Sequence, residues 1–381
     1  MIHHDFQLKE SLPKLKSYVN ENRISTLSSN SSLYNHSECT ASSVHSDYSV
    51  SSQASTTTTG GLRYCHHTAS LKEYGKRYKL LGEGSSATVM ILKKTDLNQE
   101  DQSINTSFYA VKQYHKKSTR ESKKEYMKRL TSEFCISSTF THPNIVQTFD
   151  LVLDSKDRYC TIMEYCSGGD LFSIIMAEIM TDIEKACCFK QLLQGISYLH
   201  SVGVTHRDIK PENLLMTAQG KLKITDFGVS DVFRRPWETK GYESRGLCGS
   251  EPYIAPETFT SKSYWGPSID VWSAGIVFYS IWLNGIIWER AVQSNSSYRK
   301  YLDGYSTFKR ELNNRTSFYP FNSFTPAQRQ VLYCMLDPIP KNRITVDELL
   351  ENDPWIKSIA CCNHDSIDSY GQTHKHIIHR S

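Results

Sequence analysis

The sequence predicts an α+β protein of two lobes, a small β-rich lobe followed by a larger helical one, between two polar ends. Three observations carry this. Short alternating apolar segments broken by glycine run from Tyr74 to Cys166, the pattern of half-buried strands. After Gly169 the apolar residues recur at helical spacing, as in IEKACCFKQLLQGISYLHSVG. Ser and Thr crowd residues 24–60, ending in QASTTTTGG, and the residues after Ile359 show no period.

Taken in order, residues 1–73 bury too little apolar surface to offset chain ordering and are expected to be disordered. YKLLGEG and ATVMILKK read as two strands joined by a glycine turn, and NTSFYAVKQY as a third. Residues 120–140 read as a helix with Tyr126, Leu130, Phe134 and Ser137 near one face. RYCTIMEYC is a further strand. Val271–Trp288 is uncharged but contains Ser273, Ser280 and Asn284 and sits at the lower length limit for a membrane span, so it is expected as a buried core helix. Residues 358–381, with His364, His374, His376 and His379, are expected to form a solvated tail rather than a metal site, since no ligand spacing is fixed there.

Composition removes several classes of function. A net charge of +4 over 381 residues, with Lys and Arg scattered, does not fit a nucleic-acid binder. Eleven cysteines at irregular spacing, with pairs Cys187–Cys188 and Cys361–Cys362 and no Cys-x-x-Cys, fit reduced thiols in the cytoplasm. The N-terminus has no apolar signal stretch.

The chemistry-bearing residues come next. Gly82, Glu83, Gly84, Ser85, Ser86, Ala87, Thr88 and Val89 follow a strand. Glycines let a backbone approach phosphate oxygens and offer them N–H groups, although an ordinary hairpin uses the same residues. No Gly-Lys-Ser/Thr follows, and a strand stands where a dinucleotide fold would place a helix. Lys112, in Tyr-Ala-Val-Lys, is either a solvent-facing strand lysine or a cation held for phosphate. The second reading needs a carboxylate, and Glu133 is the candidate, with a local ion pair inside its basic helix as the alternative. His206-Arg207-Asp208-x-Lys210-x-x-Asn213 is followed, across the strand KLKIT, by Asp226-Phe227-Gly228. Ala255-Pro256-Glu257, Asp270-Val271-Trp272-Ser273-x-Gly275 and Arg343 come later.

This ordered set resembles the eukaryotic protein kinase signature over residues 74–357. The resemblance implies a bilobal kinase fold, ATP and Mg2+ as cofactors, and protein substrates. It implies that Asp208 orients the substrate hydroxyl and accepts its proton, that Lys210 steadies the transferred phosphate, and that Asn213 and Asp226 hold magnesium. Lys112, held by Glu133, would grip the nucleotide phosphates under the glycine turn. Leu215 would lie below adenine, with Val89 and Ala110 above. Glu164 and Cys166 would offer backbone hinge contacts beside Met163, and Asp170 would reach the ribose. Lys210, together with Gly249-Ser250-Glu251-Pro252-Tyr253, implies serine/threonine specificity.

TSEFCISS, THPNIV, CCFKQLLQGISYLHS and GSEPYIAPE look like the fungal halotolerance and nitrogen-permease-reactivator kinases. That likeness implies a fungal source and regulation of plasma-membrane cation and nutrient transporters. A monomer is expected. An upstream kinase is a candidate partner, with Ser244 the candidate phosphoacceptor in the activation segment. Two rivals stand beside this reading: a scaffold that has kept the fold and lost catalysis, and a small-molecule kinase. The filled metal, base and phosphate positions argue against the first, and the complete segment from Asp226 to Glu257 against the second.

Overall fold

The computed structural model describes residues 70–84, 86–97, 104–117, 119, 121–310, 319–362 and 376. The N-terminal segment through residue 69, and His364, His374 and His379, lie outside them.

The first lobe is an antiparallel five-stranded sheet of β1 (Lys76–Glu83), β2 (Ala87–Leu97), β3 (Ile104–Tyr114), β4 (Thr148–Leu153) and β5 (Tyr159–Glu164), in the order β1-β2-β3-β5-β4. Its alternation puts Met90, Leu92, Val111, Val152, Cys160 and Ile162 into one apolar layer. Helix α1 (Lys123–Ser137) crosses between β3 and β4. It starts at a capping box in which Ser122 Oγ accepts from the Glu125 N–H and Glu125 accepts from the Ser122 N–H, so two orphan donors are satisfied. Tyr126 and Leu130 pack it on Ala87 and Tyr114, while Phe134 is only half buried.

Strand β4 was not legible in the sequence. It is an edge strand with a register shift between Thr148 and Asp150, so its apolar residues do not alternate strictly: Phe149 and Leu153 are exposed, Val152 is buried.

The second lobe is built on two long helices. α2 (Leu171–Ala177) leads into α3 (Asp182–Ser201), and after α4 (Pro256–Thr260) comes α5 (Gly266–Leu283). α5 is buried on almost every side, as its composition predicts, and no helix among the described residues is long and apolar enough to cross a membrane. It ends five residues before Trp288, because Asn284 turns left-handed (φ 51°) and its N–H closes on the Ser280 carbonyl. Ile287 and Trp288 are nonetheless buried, in a loop. α6 (Ser296–Arg310), α7 (Pro326–Met335), α8 (Val346–Asn352) and α9 (Pro354–Ser358) complete the lobe.

Between the lobes, β6 (Val204–Thr205), β7 (Leu214–Met216), β8 (Leu222–Ile224) and β9 (Asp231–Val232) form two small antiparallel pairs, β6 with β9 and β7 with β8. The Val146 N–H donates to the Ile224 carbonyl and the Ile224 N–H to the Asn144 carbonyl, which sews the upper sheet's approach to β8. Among the described residues of the expected solvated tail, Cys361 and His376 depart from it. Cys361 is buried against α3, and His376 returns to pack on the β7–β8 turn.

Candidate active site

The stretch from His206 to Asn213 follows β6, and its start is held by one buried carboxylate. Asp270, in the second turn of α5, is fully buried and accepts from Thr205 Oγ1 (2.7 Å), the His206 N–H (2.9 Å), the Arg207 N–H (2.8 Å) and His200 Nε2 (3.0 Å). Burial pushes its pKa up, but His200 and these amides outweigh that and hold it below the usual carboxylate range. The His206 ring has one consistent tautomer: Nε2–H donates to the Thr225 carbonyl, and Nδ1 accepts from the Asp208 N–H. Arg207 takes a left-handed φ of 67°, rare for a side chain of its size, and the bonds to Asp270 fix that turn.

The turn delivers Asp208 to a compact polar group. Lys210 Nζ lies 2.9 Å from Asp208 Oδ2 and donates to Ser250 Oγ (2.7 Å), and Ser250 donates to Asp208 Oδ1 (3.0 Å). Asn213 Nδ2 donates to the Asp208 carbonyl (2.9 Å) and to Oδ2 (3.2 Å), so its amide oxygen faces away from Asp208. Burial lowers the Lys210 pKa, but Asp208 more than reverses this and keeps the ammonium charged.

Across the cleft, Lys112 Nζ pairs with Glu133 Oε1 (2.6 Å) and with Asp226 Oδ1 (2.9 Å). The long pairing between α1 and β3 therefore exists, and the local helix pair considered for Glu133 is not the observed one. Desolvation pulls the Lys112 pKa down; Asp226 and then Glu133 outweigh it and leave it above its ordinary value. Lys112 holds the Asp226 carboxyl well below the usual range. Asp226 has a left-handed φ of 66°, while Phe227 turns inward against Phe140 (5.0 Å between ring centres) and His206 (5.2 Å).

The glycine turn joins β1 to β2. The Gly84 N–H donates to the Ala87 carbonyl (2.8 Å), closing the hairpin. A Cβ on Gly82 would meet nothing within 4 Å and its φ is not left-handed, so nothing within the fold demands glycine there. Glycine at 82 fits a backbone that has to admit phosphate oxygens. Ala87, which ends the turn, buries its methyl against Tyr114, Tyr126 and Leu130. Val89 sits opposite Lys112 in the β2–β3 register, and Ala110 opposite Met163 in the β3–β5 register. Leu215, on β7, bridges to Asp170 as an antiparallel pair. Glu164 and Cys166 lie at the connection between lobes, where the Glu164 side chain pairs with Lys223 on β8 (2.8 Å).

Two expected site residues carry other duties. Asp170 caps α2: Oδ1 accepts from the Ser173 N–H (2.7 Å) and Oδ2 from the Ser173 hydroxyl (3.0 Å), so any ribose contact would share an engaged carboxylate. Ser244 is only 2 % exposed, within the β10 (Ser244–Arg245) to β11 (Ser263–Tyr264) pair, and its hydroxyl has no hydrogen-bond partner. A phosphate does not fit there without opening the pair. Arg207, which a loop phosphate would neutralise, already donates to the Val229 carbonyl (2.7 Å), the Arg245 carbonyl (3.0 Å) and Tyr264 (3.3 Å). Ser85 lies outside the described residues.

Sequence reasoning missed the duties of Asp270, His200 and Lys223. Asp270 could have been suspected as a charged residue in an otherwise apolar helix; Lys223 gives no sequence signal.

At the far end of the segment, Glu257 and Arg343 form a buried two-bond pair: Nη1 to Oε1 is 2.7 Å and Nη2 to Oε2 is 3.1 Å. Arg343 also donates to the Asp337 and Ser268 carbonyls and lies 4.9 Å from the Trp272 ring centre.

Comparison with known proteins agrees with this geometry. Residues 76–356 match the family model described as protein kinase domain. The chain is 42% identical over 294 residues to serine/threonine-protein kinase HAL4/SAT4 of Saccharomyces cerevisiae, covering 77% of this chain and 47% of that protein. It is 41% identical over 294 residues to serine/threonine-protein kinase hal4 of Schizosaccharomyces pombe (77% and 44%), and 32% identical over 326 residues to the nitrogen permease reactivator protein of S. cerevisiae (77% and 40%). The chain thus spans less than half the length of these relatives.

Proposed function

Because the chain belongs to the protein kinase family, on its serine/threonine side, we propose that it transfers the γ-phosphate of ATP to serine and threonine hydroxyls of proteins. The observation that carries this is the Asp208–Ser250–Lys210 triangle facing the Lys112–Glu133–Asp226 group across one cleft. Asp208 orients the acceptor hydroxyl and takes its proton. Lys210, kept charged by Asp208, steadies the phosphate in transit. Lys112, aligned by Glu133, meets the phosphates already on the nucleotide, and the turn at Gly82–Gly84 covers them. The hard oxygen donors of Asp226 and the amide oxygen of Asn213 suit Mg2+, which would supply neutralising charge to the transferred group. Every other part of the catalysis here is positioning and fixed charge.

In this reading the catalytic domain spans residues 74–357, flanked by regions 1–73 and 358–381, and works as a monomer in the cytoplasm. Its targets are proteins that govern plasma-membrane transport of cations or nutrients. The name of the nitrogen permease reactivator protein supports that direction. The test is a positional-scanning peptide phosphorylation assay with the purified chain, followed by candidate cytosolic transporter tails. Phosphorylation of Ser/Thr peptides and of those tails supports the proposal. Phosphotransfer to tyrosine or to small molecules alone, or none at all, would overturn it.

A further inference from the structure

Behind the nucleotide side, four cysteines and a histidine from three parts of the chain converge. Cys187 and Cys188 lie on α3, Cys361 and Cys362 follow α9, and His376 comes from further along. Cys187 Sγ is 3.6 Å from Cys362 Sγ and 4.0 Å from Cys361 Sγ, and Cys362 Sγ is 3.6 Å from His376 Nε2. The ligand atoms of Cys187, Cys362 and His376 all lie within 4.8 Å of one another. A tetrahedral zinc with Zn–S of about 2.3 Å and Zn–N of about 2.05 Å has S···S edges of about 3.8 Å and S···N edges of about 3.6 Å. The Cys187–Cys362 and Cys362–His376 separations match those edges. They are far longer than the roughly 2.05 Å of a disulfide, and no disulfide forms among the described cysteines.

We propose that Cys187, Cys362 and His376 bind a structural Zn2+ ion that fastens the C-terminal segment to the kinase domain. Amide donors face two of the sulfurs, beside the Gly220 carbonyl, which lies 3.2 Å from Gln191 Nε2 and 3.6 Å from Cys362 Sγ. Gln191 Oε1 is occupied by the Leu222 N–H (2.8 Å) and Asn144 Nδ2 (3.0 Å). Its Nε2 is thereby aimed at the sulfurs, 3.3 Å from both Cys187 and Cys362. The Cys362 N–H adds a second donor to Cys187 Sγ (3.5 Å). Donors of this kind orient and stabilise metal-bound sulfur.

The approach of the chain is shaped for the same purpose. Lys190 Nζ donates to the Ile359 carbonyl (2.8 Å), which leads the chain to Cys361 and Cys362 on α3. His376 seats its ring on Gly220, where a Cβ would come within 2.5 Å of ring atoms Cγ and Cδ2. That leaves Nε2 facing Cys362 and Nδ1 3.8 Å from Cys188 Sγ. The soft, compact Cys/His set selects zinc over magnesium or calcium, and each thiol releases a proton as it binds. Zinc here ties α3 to the C-terminal chain, whose His376 rests on the β7–β8 turn.

The test uses the full chain, expressed with zinc and purified under reducing conditions without chelator. Metal is read by elemental mass spectrometry, and zinc is exchanged for Co2+ as a spectroscopic probe. About one zinc per chain is expected, with the visible absorption of tetrahedral, sulfur-bound cobalt after exchange. His376→Ala and Cys362→Ser, both at half-buried positions, should retain less than about a tenth of the metal while still melting cooperatively. Cys135→Ser, on an exposed helix face, should retain all of it. A wild-type chain that holds no zinc, variants that hold as much as wild type, or a Cys187–Cys362 disulfide in the protein as isolated would each overturn the proposal.

Discussion

Replacing Arg343 by Ala tests how the end of the activation segment is held. The Arg343 side chain is fully buried and that of Glu257 is 9 % exposed, so neither charge can turn to bulk water. Removing Arg343 strands the Glu257 carboxylate and takes donors from the Asp337 and Ser268 carbonyls. Breaking a buried pair in this way costs about 3–5 kcal/mol. Removing Glu257 instead leaves the guanidinium bonded to those two carbonyls and to Ser268 Oγ, so the loss is that of a charged hydrogen bond, about 1.5–3 kcal/mol. Arg343→Ala should therefore be the more damaging single change, lowering Tm by roughly 6–10 °C at about 2 °C per kcal/mol for a domain of this size. The double variant should lose at least about 1 kcal/mol less than the singles summed, because the orphaned carboxylate goes with it. The assay is a double-mutant cycle by thermal and denaturant unfolding of the full chain. Strict additivity, or equal losses from the two singles, would refute the reasoning.

Three further outcomes are expected. Lys112→Met should lower kcat/KM by about 10²–10³-fold, since a fixed charge facing the phosphates is gone; retention of wild-type kcat/KM on a peptide substrate contradicts its role. The Tm difference between wild type and Lys112→Met should stay constant from about pH 5 to about pH 9. Asp226, held low by Lys112, contributes above its ordinary carboxylate pKa and is lost only as pH falls through its depressed folded value. Lys112, held high, contributes below about pH 10.4 and is lost only as pH rises beyond that. A difference that collapses near neutrality would show that neither group is so held. Ser244→Ala should leave turnover unchanged, with or without phosphatase treatment, and should be neutral or stabilising by up to about 1 kcal/mol, because it deletes a buried hydroxyl without a partner. A large loss of turnover would show that the hydroxyl is needed.

Most of the fold was legible: β2, β3 and β5 and the helices α1 and α3 appear where their apolar patterns put them, β1 was placed by the glycine turn that follows it although it is exposed throughout, and α5 was placed by its uncharged apolar run. The exceptions have physical causes. β4 is a bulged edge strand without strict alternation, and α5 ends early because Asn284 adopts a left-handed turn inside an apolar run. The site was legible in residue types and not in support. Asp208, Lys210, Asn213 and Asp226 stand in short motifs, so their clustering follows from local chain geometry. The Lys223–Glu164 tie and the four bonds on Asp270 join residues distant in sequence, and only the packed structure brings them together. The C-terminal cysteines and His376 were misread as a solvated tail for the same reason: their partners lie on α3, far upstream.

The most direct measurement compares wild type with Asp208→Asn on one serine peptide while Mg·ATP affinity is followed in parallel. Asn keeps the size of Asp208 and can still bond to Ser250, but it has no carboxylate to accept the hydroxyl proton. The predicted result is a fall in turnover of about 10²–10⁴-fold, with Mg·ATP affinity within about twofold of wild type. Near-normal turnover in Asp208→Asn, with the nucleotide bound as before, would contradict the assignment of the cleft.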